Sequence, residues 1–214
     1  MTVIYVRHGD DGNQHPNYSN DPSLTPESYW AIKKFTWRLL QEFGRPDAIY
    51  VSPMRRAWET ALVMEEVLHQ RIPLIVDPHL SRYFTHKEKD PGTVRPDTLK
   101  RKVPISESKR EFRARVTHHI DHLSFYYSSR RPLIWCITHA LVMKRLGKAI
   151  GRPLKGHLDF LETLVVDKIE ASSTKSRKGI PWRGVRESSR TAHSRGGSVV
   201  DPSKTEASAP PATT

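Results

Sequence analysis

The sequence predicts an α/β fold, a three-layer sandwich around a mostly parallel central sheet. Three observations predict it. Short uncharged runs rich in β-branched residues alternate with amphipathic helical segments. The first helical segment opens on a capping Thr-Pro pair and closes on glycine, and the last also stops at glycine. Three of the strand-like runs end in loops that carry histidine or arginine, at the strand ends where parallel sheets bind ligands.

The elements follow in order. Thr2–Val6 (TVIYV) carries no charge, as a buried parallel strand should. After a polar loop with Gly12, Pro16 and Pro22, Thr25-Pro26 opens a helix, Thr as the cap and Pro at the first helical position. Ile32, Phe35, Leu39, Leu40 and Phe43 give that helix an apolar face, and Gly44 closes it. Ala48–Val51 is the second strand. A helix then runs from Arg55 to His69 with Ala57, Ala61, Met64 and Leu68 on one side. Leu74–Val76 is the third strand. Residues 80–106 lack periodicity and hold Pro91, Pro96 and Pro104, so they read as an inserted loop or lid. Glu107–Ser128 is helical, with Phe112, Val116, Ile120, Leu123 and Tyr127 at helical spacing. Leu133–Thr138 (LIWCIT) is a buried strand, Ala140–Ile150 a helix and Leu161–Asp167 the last strand. The GRP runs at 44–46 and 151–153 are helix stops, not phosphate loops.

Composition narrows the function classes. The chain has 214 residues, of which 36% are hydrophobic, a low share for a chain folded along its whole length. No run of 18 apolar residues exists, so no transmembrane helix is expected. The start, MTVIYVRHGDDG, lacks the basic and apolar regions of a secretory signal. The single cysteine, Cys136, excludes an internal disulfide and any multi-cysteine zinc module. A reducing, cytoplasmic setting fits.

The net charge of +12 is unevenly placed: −2 over residues 1–80, +6 over 81–118, +3 over 119–170 and +5 over 171–214. In the last 44 residues 14 are Ser or Thr, and the large apolar residues are Ile180, Trp182, Val185, Val199 and Val200. Such a segment cannot bury enough surface to offset chain entropy. Residues 1–170 are therefore expected to form the folded domain, and 171–214 a basic, disordered tail. The tail reads as a solubilising appendage, or as a segment with weak affinity for polyanions that would suit a nuclear location.

The reactive residues gather in three loops: Arg7-His8-Gly9, Ser52-Pro53-Met54-Arg55-Arg56-Ala57, and Thr138-His139-Ala140. Each follows a strand, so two histidines and at least two arginines converge on one rim. Phosphoryl transfer explains the combination. A neutral imidazole can attack phosphorus and form a phosphohistidine. Guanidinium groups stabilise the equatorial oxygens where charge accumulates, and their planar fork matches phosphate. The chemistry needs no metal, and the sequence has neither a phosphate-binding glycine loop nor a carboxylate cluster.

VRHGD at 6–10, LTPES at 24–28, SPMRRAWETA at 52–61 and ITHA at 137–140 resemble, in order and spacing, the histidine phosphatase superfamily with its phosphoglycerate-mutase-like fold. The resemblance covers roughly residues 1–170. It implies a metal-independent phosphatase without cofactor, acting on a phosphorylated small molecule or phosphoprotein through a covalent phosphohistidine. It implies His8 as the nucleophile and Arg7, Arg56 and His139 as the phosphate pocket, with Arg56 rather than Arg55 facing the phosphate. Gln14 stands where mutases carry an asparagine and is an added phosphate ligand in this reading.

The family's two usual positions for the proton donor hold Arg82 and Ala140. Glu88, followed by Asp90, is the expected replacement, with Asp10 and Asp11 as alternatives. A mutase fits less well, since the pattern departs at Asp10, Gln14 and Arg82. The other readings are a degenerate member that binds a phosphorylated partner without turnover, and a nucleic-acid-binding protein, for which no motif is present. His118, His119 and His122 lie on one helix without a third metal ligand nearby and read as a solvated face.

Overall fold

A computed structural model describes residues 1–12, 22–83, 107–127 and 131–167. Gln14, Glu88, Asp90, the greater part of the 80–106 segment and the 171–214 tail lie outside the described residues. Five strands, β1 (Thr2–Arg7), β2 (Ala48–Val51), β3 (Leu74–Val76), β4 (Leu133–Thr138) and β5 (Thr163–Asp167), form one sheet in the order β3-β2-β4-β1-β5. β1, β2 and β3 run parallel to their neighbours through β4, while β5 pairs with β1 antiparallel. The α/β sandwich with a mostly parallel sheet is thus the observed fold.

Period-two alternation explains the layering. Val3, Tyr5, Ala48, Tyr50, Ile134 and Cys136 point to one face, where they pack with α3 (Lys109–Tyr126) and α4 (Ala140–Ala149). Ile4, Val6, Ile49, Val51, Trp135 and Ile137 point to the other, against α1 (Pro26–Phe43) and α2 (Arg55–Leu68). Because the three central strands are covered on both sides, they carry no charge until the last residue of β1. No helix among the described residues is long and apolar enough to cross a membrane.

Capping sets the helix ends. Thr25 accepts from the Ser28 amide at the start of α1, and Gly44 closes it at φ 83°, a backbone that favours glycine. α3 begins two residues later than the apolar pattern suggested. Ser108 and Glu111 form a reciprocal capping box there, which leaves Glu107 outside the helix to pair with Arg115. β5 starts at Thr163 rather than Leu161, because Leu161 takes a positive φ of 61° and turns the chain.

The histidines of α3 require a correction. His119 is fully buried, not solvated. Its Nδ1 lies 2.7 Å from Oδ2 of Asp77, whose Oδ1 is 2.6 Å from Nδ1 of His79. The His79 amide also donates to Oδ1 at 2.8 Å, and the two imidazoles supply the other hydrogen bonds that the buried carboxylate needs. They hold the Asp77 carboxyl well below the usual carboxylate range despite its burial. Helical spacing placed His119 beside His118 and His122, but the long-range partner Asp77 decides its burial.

These contacts fix the segment leaving β3. A 3-10 turn, Pro78–Leu80, follows Asp77. Arg115 of α3 reaches under it and donates to the carbonyls of Pro78, His79, Ser81 and Arg82, while its ion pair with Glu107 closes the group. Thr138 Oγ1 donates to the Leu80 carbonyl at 2.8 Å, tying the same segment to the end of β4. Arg115→Ala would leave four carbonyls and a buried carboxylate without their donor. Urea unfolding should show a loss of about 3–5 kcal/mol, with little rescue by Arg115→Lys, whose single ammonium cannot span the same acceptors. A loss below about 1 kcal/mol would show that the clamp is not structural.

Candidate active site

The site is assembled on the carbonyl end of β4. Its Thr138 carbonyl accepts from the His8 amide and its Ile137 carbonyl from the Ser52 amide, both at 3.0 Å. The residues that follow β1 and β2 are therefore pinned on either side of the residue that follows β4, His139. Gly9 lets the chain pass close to α1. A Cβ there would stand 2.4 Å from Ser28 Oγ and 2.8 Å from Ile32 Cδ1. The Gly9 amide donates to Thr60 Oγ1, and Thr60 in turn donates to the Arg56 carbonyl, which joins the first loop to α2.

Arg56 is the hub. Its Nε–H donates to Nε2 of His8 at 3.1 Å, and its NH2 group lies 3.5 Å from Nδ1 of His139. The same Nε is 3.2 Å from Oδ2 of Asp11. All four side chains are buried. By contrast, Arg55 lies mostly in solvent and pairs with Glu59 one turn along.

Proton positions follow from the partners, because arginine can only donate. His8 Nδ1 is 2.8 Å from the Gly9 carbonyl, so Nδ1 carries the hydrogen and Nε2 presents its lone pair. His139 Nδ1 accepts from Arg56, which leaves Nε2 to donate to Ser52 Oγ at 2.8 Å. Burial first, and the Arg56 charge second, push both imidazoles well below their ordinary range, so both are neutral at pH 7.

Arg7 approaches from the side. Its NH1 donates to the Leu158 carbonyl, and its guanidinium lies 4.0 Å from the centre of the Phe160 ring. Phe160 also stands 5.8 Å from the His8 ring. Arg7 Nε is buried and has no acceptor among the described residues. α2 and α4 both begin at the site, and neither has a side-chain cap on its first amides. Two helix N-termini and two guanidinium groups make the site strongly receptive to an anion.

The structure thus brings His8, Arg56 and His139 into mutual contact and sets Arg7 beside them across Phe160. Two residues join the pocket: Phe160, which the sequence does not single out, and Asp11, which it gives as an alternative proton donor. Phe160 sits in a loop with no motif of its own. Asp11 stood behind Glu88 and Asp90 as the expected proton donor, level with Asp10, and its burial against Arg56 separates it from Asp10, which is exposed.

Comparison with known proteins fits this geometry. The family model described as histidine phosphatase superfamily (branch 1) matches residues 3–173. No curated protein sequence matches. Among solved structures, the ecdysone phosphate phosphatase of Bombix mori, in complex with tungstate, is similar at 15% identity and a TM-score of 0.65, over 78% of this chain and 89% of that one. A phosphoglycerate mutase from Bacillus anthracis is similar at 18% identity and 0.60, over 77% and 86%. The alpha-ribazole phosphatase of Shigella flexneri is similar at 22% and 0.57, over 78% and 90%. At these identities the likeness is one of fold.

The neutral imidazoles carry a consequence for stability. Their folded pKa values lie below the unfolded ones, so the unfolded chain binds more protons as pH falls. Stability is intact above about pH 7 and declines through the ordinary imidazole range, about pH 7 to 5. Asp77 acts lower: its contribution is lost only as pH falls below the ordinary carboxylate value of about 4. Melting temperatures measured from pH 7.5 to 5 should drop for the native protein and drop less steeply for a His8→Asn/His139→Asn double variant. Parallel profiles would contradict the assigned protonation.

Proposed function

The chain belongs to the histidine phosphatase superfamily, and from that premise we propose that it hydrolyses a phosphomonoester through a phosphohistidine on His8. One observation carries the reading. A single buried guanidinium, Arg56, addresses the lone pair of His8 Nε2 and Nδ1 of His139 together. An imidazole kept neutral and unprotonated at one nitrogen is a nucleophile at physiological pH. A guanidinium beside that nitrogen is placed to hold the nonbridging oxygens of a phosphoryl group as it arrives.

The steps are as follows. His8 Nε2 attacks phosphorus, the N–P bond forms and the bond to the ester oxygen breaks. The departing oxygen takes a proton and leaves as an alcohol. Water then attacks the phosphohistidine, the N–P bond breaks and inorganic phosphate leaves. Arg56 binds the equatorial oxygens, and His139 joins it once the arriving phosphoryl group draws Arg56 off its Nδ1 and that nitrogen takes up a proton. The buried Arg7 Nε, without an acceptor among the described residues, supplies another donor for them. Family members similar to this chain in fold include phosphatases and a mutase. Hydrolysis is favoured over mutase action because Asp10 and Arg82 replace residues of the mutase pattern.

In this reading residues 1–170 are the catalytic unit and the segment from 80 to 106 selects the substrate, a phosphorylated small molecule or phosphoprotein. The basic tail adds weak polyanion affinity, and the compartment is cytoplasmic or nuclear.

The test is to incubate the full chain with a phosphate-labelled aryl phosphate, quench in base and map the label. Label should appear on His8, survive base, and disappear in acid. His8→Ala should abolish it, and Arg56→Ala should lower turnover by about 10²–10³-fold, as for loss of one transition-state donor. Label on serine, or label undiminished in His8→Ala, would overturn the mechanism. Tight phosphate binding without any label would instead favour the partner-binding reading.

A further inference from the structure

An alkyl phosphate leaves as a strongly basic alkoxide, so the proposed reaction needs a proton on the far side of phosphorus from His8. Asp11 lies three residues beyond the nucleophile, in the loop leaving β1. Asp10 is turned away there: it is exposed, and its Oδ1 accepts from the Gly12 amide at 2.8 Å. Gly12, directly after Asp11, takes a φ of 66°, a left-handed backbone that favours glycine. One carboxylate of the pair lies in water and the other inside.

Three facts about the inner one matter. Asp11 is buried, with its Oδ2 on Arg56 Nε. Among the described residues its Oδ1 has no hydrogen-bond partner, and it is the one carboxyl group there whose buried oxygen lacks one. Arg56 Nε contacts both Asp11 Oδ2 and His8 Nε2, so these two atoms lie no farther apart than about 6 Å. In an in-line displacement the attacking nitrogen and leaving oxygen are separated by roughly 5 Å, a contact distance plus one P–O bond.

We propose that Asp11 is the proton donor to the leaving-group oxygen, an assignment that rests on the phosphohistidine reading above. A buried carboxyl with one oxygen short of a partner gains by carrying a proton, since ionisation would strand lone pairs away from water. Burial pushes the Asp11 carboxyl up, and the attraction of Arg56 offsets this only in part. Arrival of a phosphoryl dianion draws on the same Arg56 charge, so substrate binding itself favours protonation of Asp11. The proton then passes to the ester oxygen as the P–O bond breaks. The resulting carboxylate takes a proton from the water that attacks the phosphohistidine, and the N–P bond breaks with His8 neutral again. The balance closes with one water consumed.

The experiment measures phosphoryl transfer to His8 in single turnovers, with the full chain and two labelled substrates: an aryl phosphate, whose leaving group needs little protonation, and a primary alkyl phosphate. Asp11→Asn should slow transfer from the alkyl phosphate by about 10²–10⁴-fold and from the aryl phosphate by less than about threefold. Asp11→Glu should recover part of the alkyl rate. In the native protein the alkyl rate should fall with rising pH along a limb that the aryl rate lacks. Equal losses on both substrates, no loss on either, or an alkyl-selective loss in Glu88→Gln in place of Asp11→Asn would overturn the assignment. So would identical pH profiles for the two substrates, a result that does not depend on any variant folding. Absence of label on His8 from the aryl phosphate is a separate result: it removes the phosphohistidine reading, and this inference with it.

Discussion

Arg56 is buried against two imidazoles and the Asp11 carboxyl group, and the rest of the site is arranged around that fact. A buried guanidinium costs several kcal/mol unless its hydrogens find acceptors. Here the acceptors are His8 Nε2, His139 Nδ1 and Asp11 Oδ2. These partners come from two stretches of chain, the loop after β1 and the residue after β4, so the guanidinium fixes their mutual positions. It also fixes their protonation. An imidazole nitrogen that accepts from arginine must present its lone pair, and the neighbouring positive charge opposes protonation of either ring.

The fold makes such a cluster attainable. β4 lies between β1 and β2, and its terminal carbonyls hold the residues just past both neighbours. Parallel strands deliver three loops to one rim, and the helices that follow β2 and β4 begin there with their amides exposed to whatever binds. Behind the rim, Arg115 and the Asp77–His119 pair hold the segment after β3 against the end of β4. The buried polar groups away from the pocket are thus concentrated where they steady the pocket.

Much of this was legible in the sequence because the relevant signals are local. The uncharged strands, the Thr25-Pro26 start, and Gly44 as a stop act within a few residues, and the elements fall where those signals put them. The meeting of His8, Arg56 and His139 was also legible, since each directly follows a strand or opens the next helix. What escaped depends on partners far apart in sequence. His119 looks like any polar helix residue until Asp77, forty-two positions earlier, is placed beside it. Phe160 acquires its role only by lying against Arg7 and His8. Asp10 and Asp11 are indistinguishable as letters, and the contact with Arg56 separates the buried one from the exposed one. The Leu161 turn likewise shortens β5 through a backbone conformation that composition does not announce.

The central claim is that burial and Arg56 together keep His8 neutral, with its hydrogen held on Nδ1 by the Gly9 carbonyl, so that Nε2 is ready to attack. The most direct measurement is the protonation of each ring nitrogen, read from long-range 1H–15N correlations of the histidine side chains in the full chain. The account predicts that His8 stays a neutral Nδ1–H tautomer between about pH 6 and 8, and that its Nε2 resonance moves when tungstate or vanadate is added. A His8 ring that is imidazolium at pH 7, or that carries its hydrogen on Nε2, would contradict it.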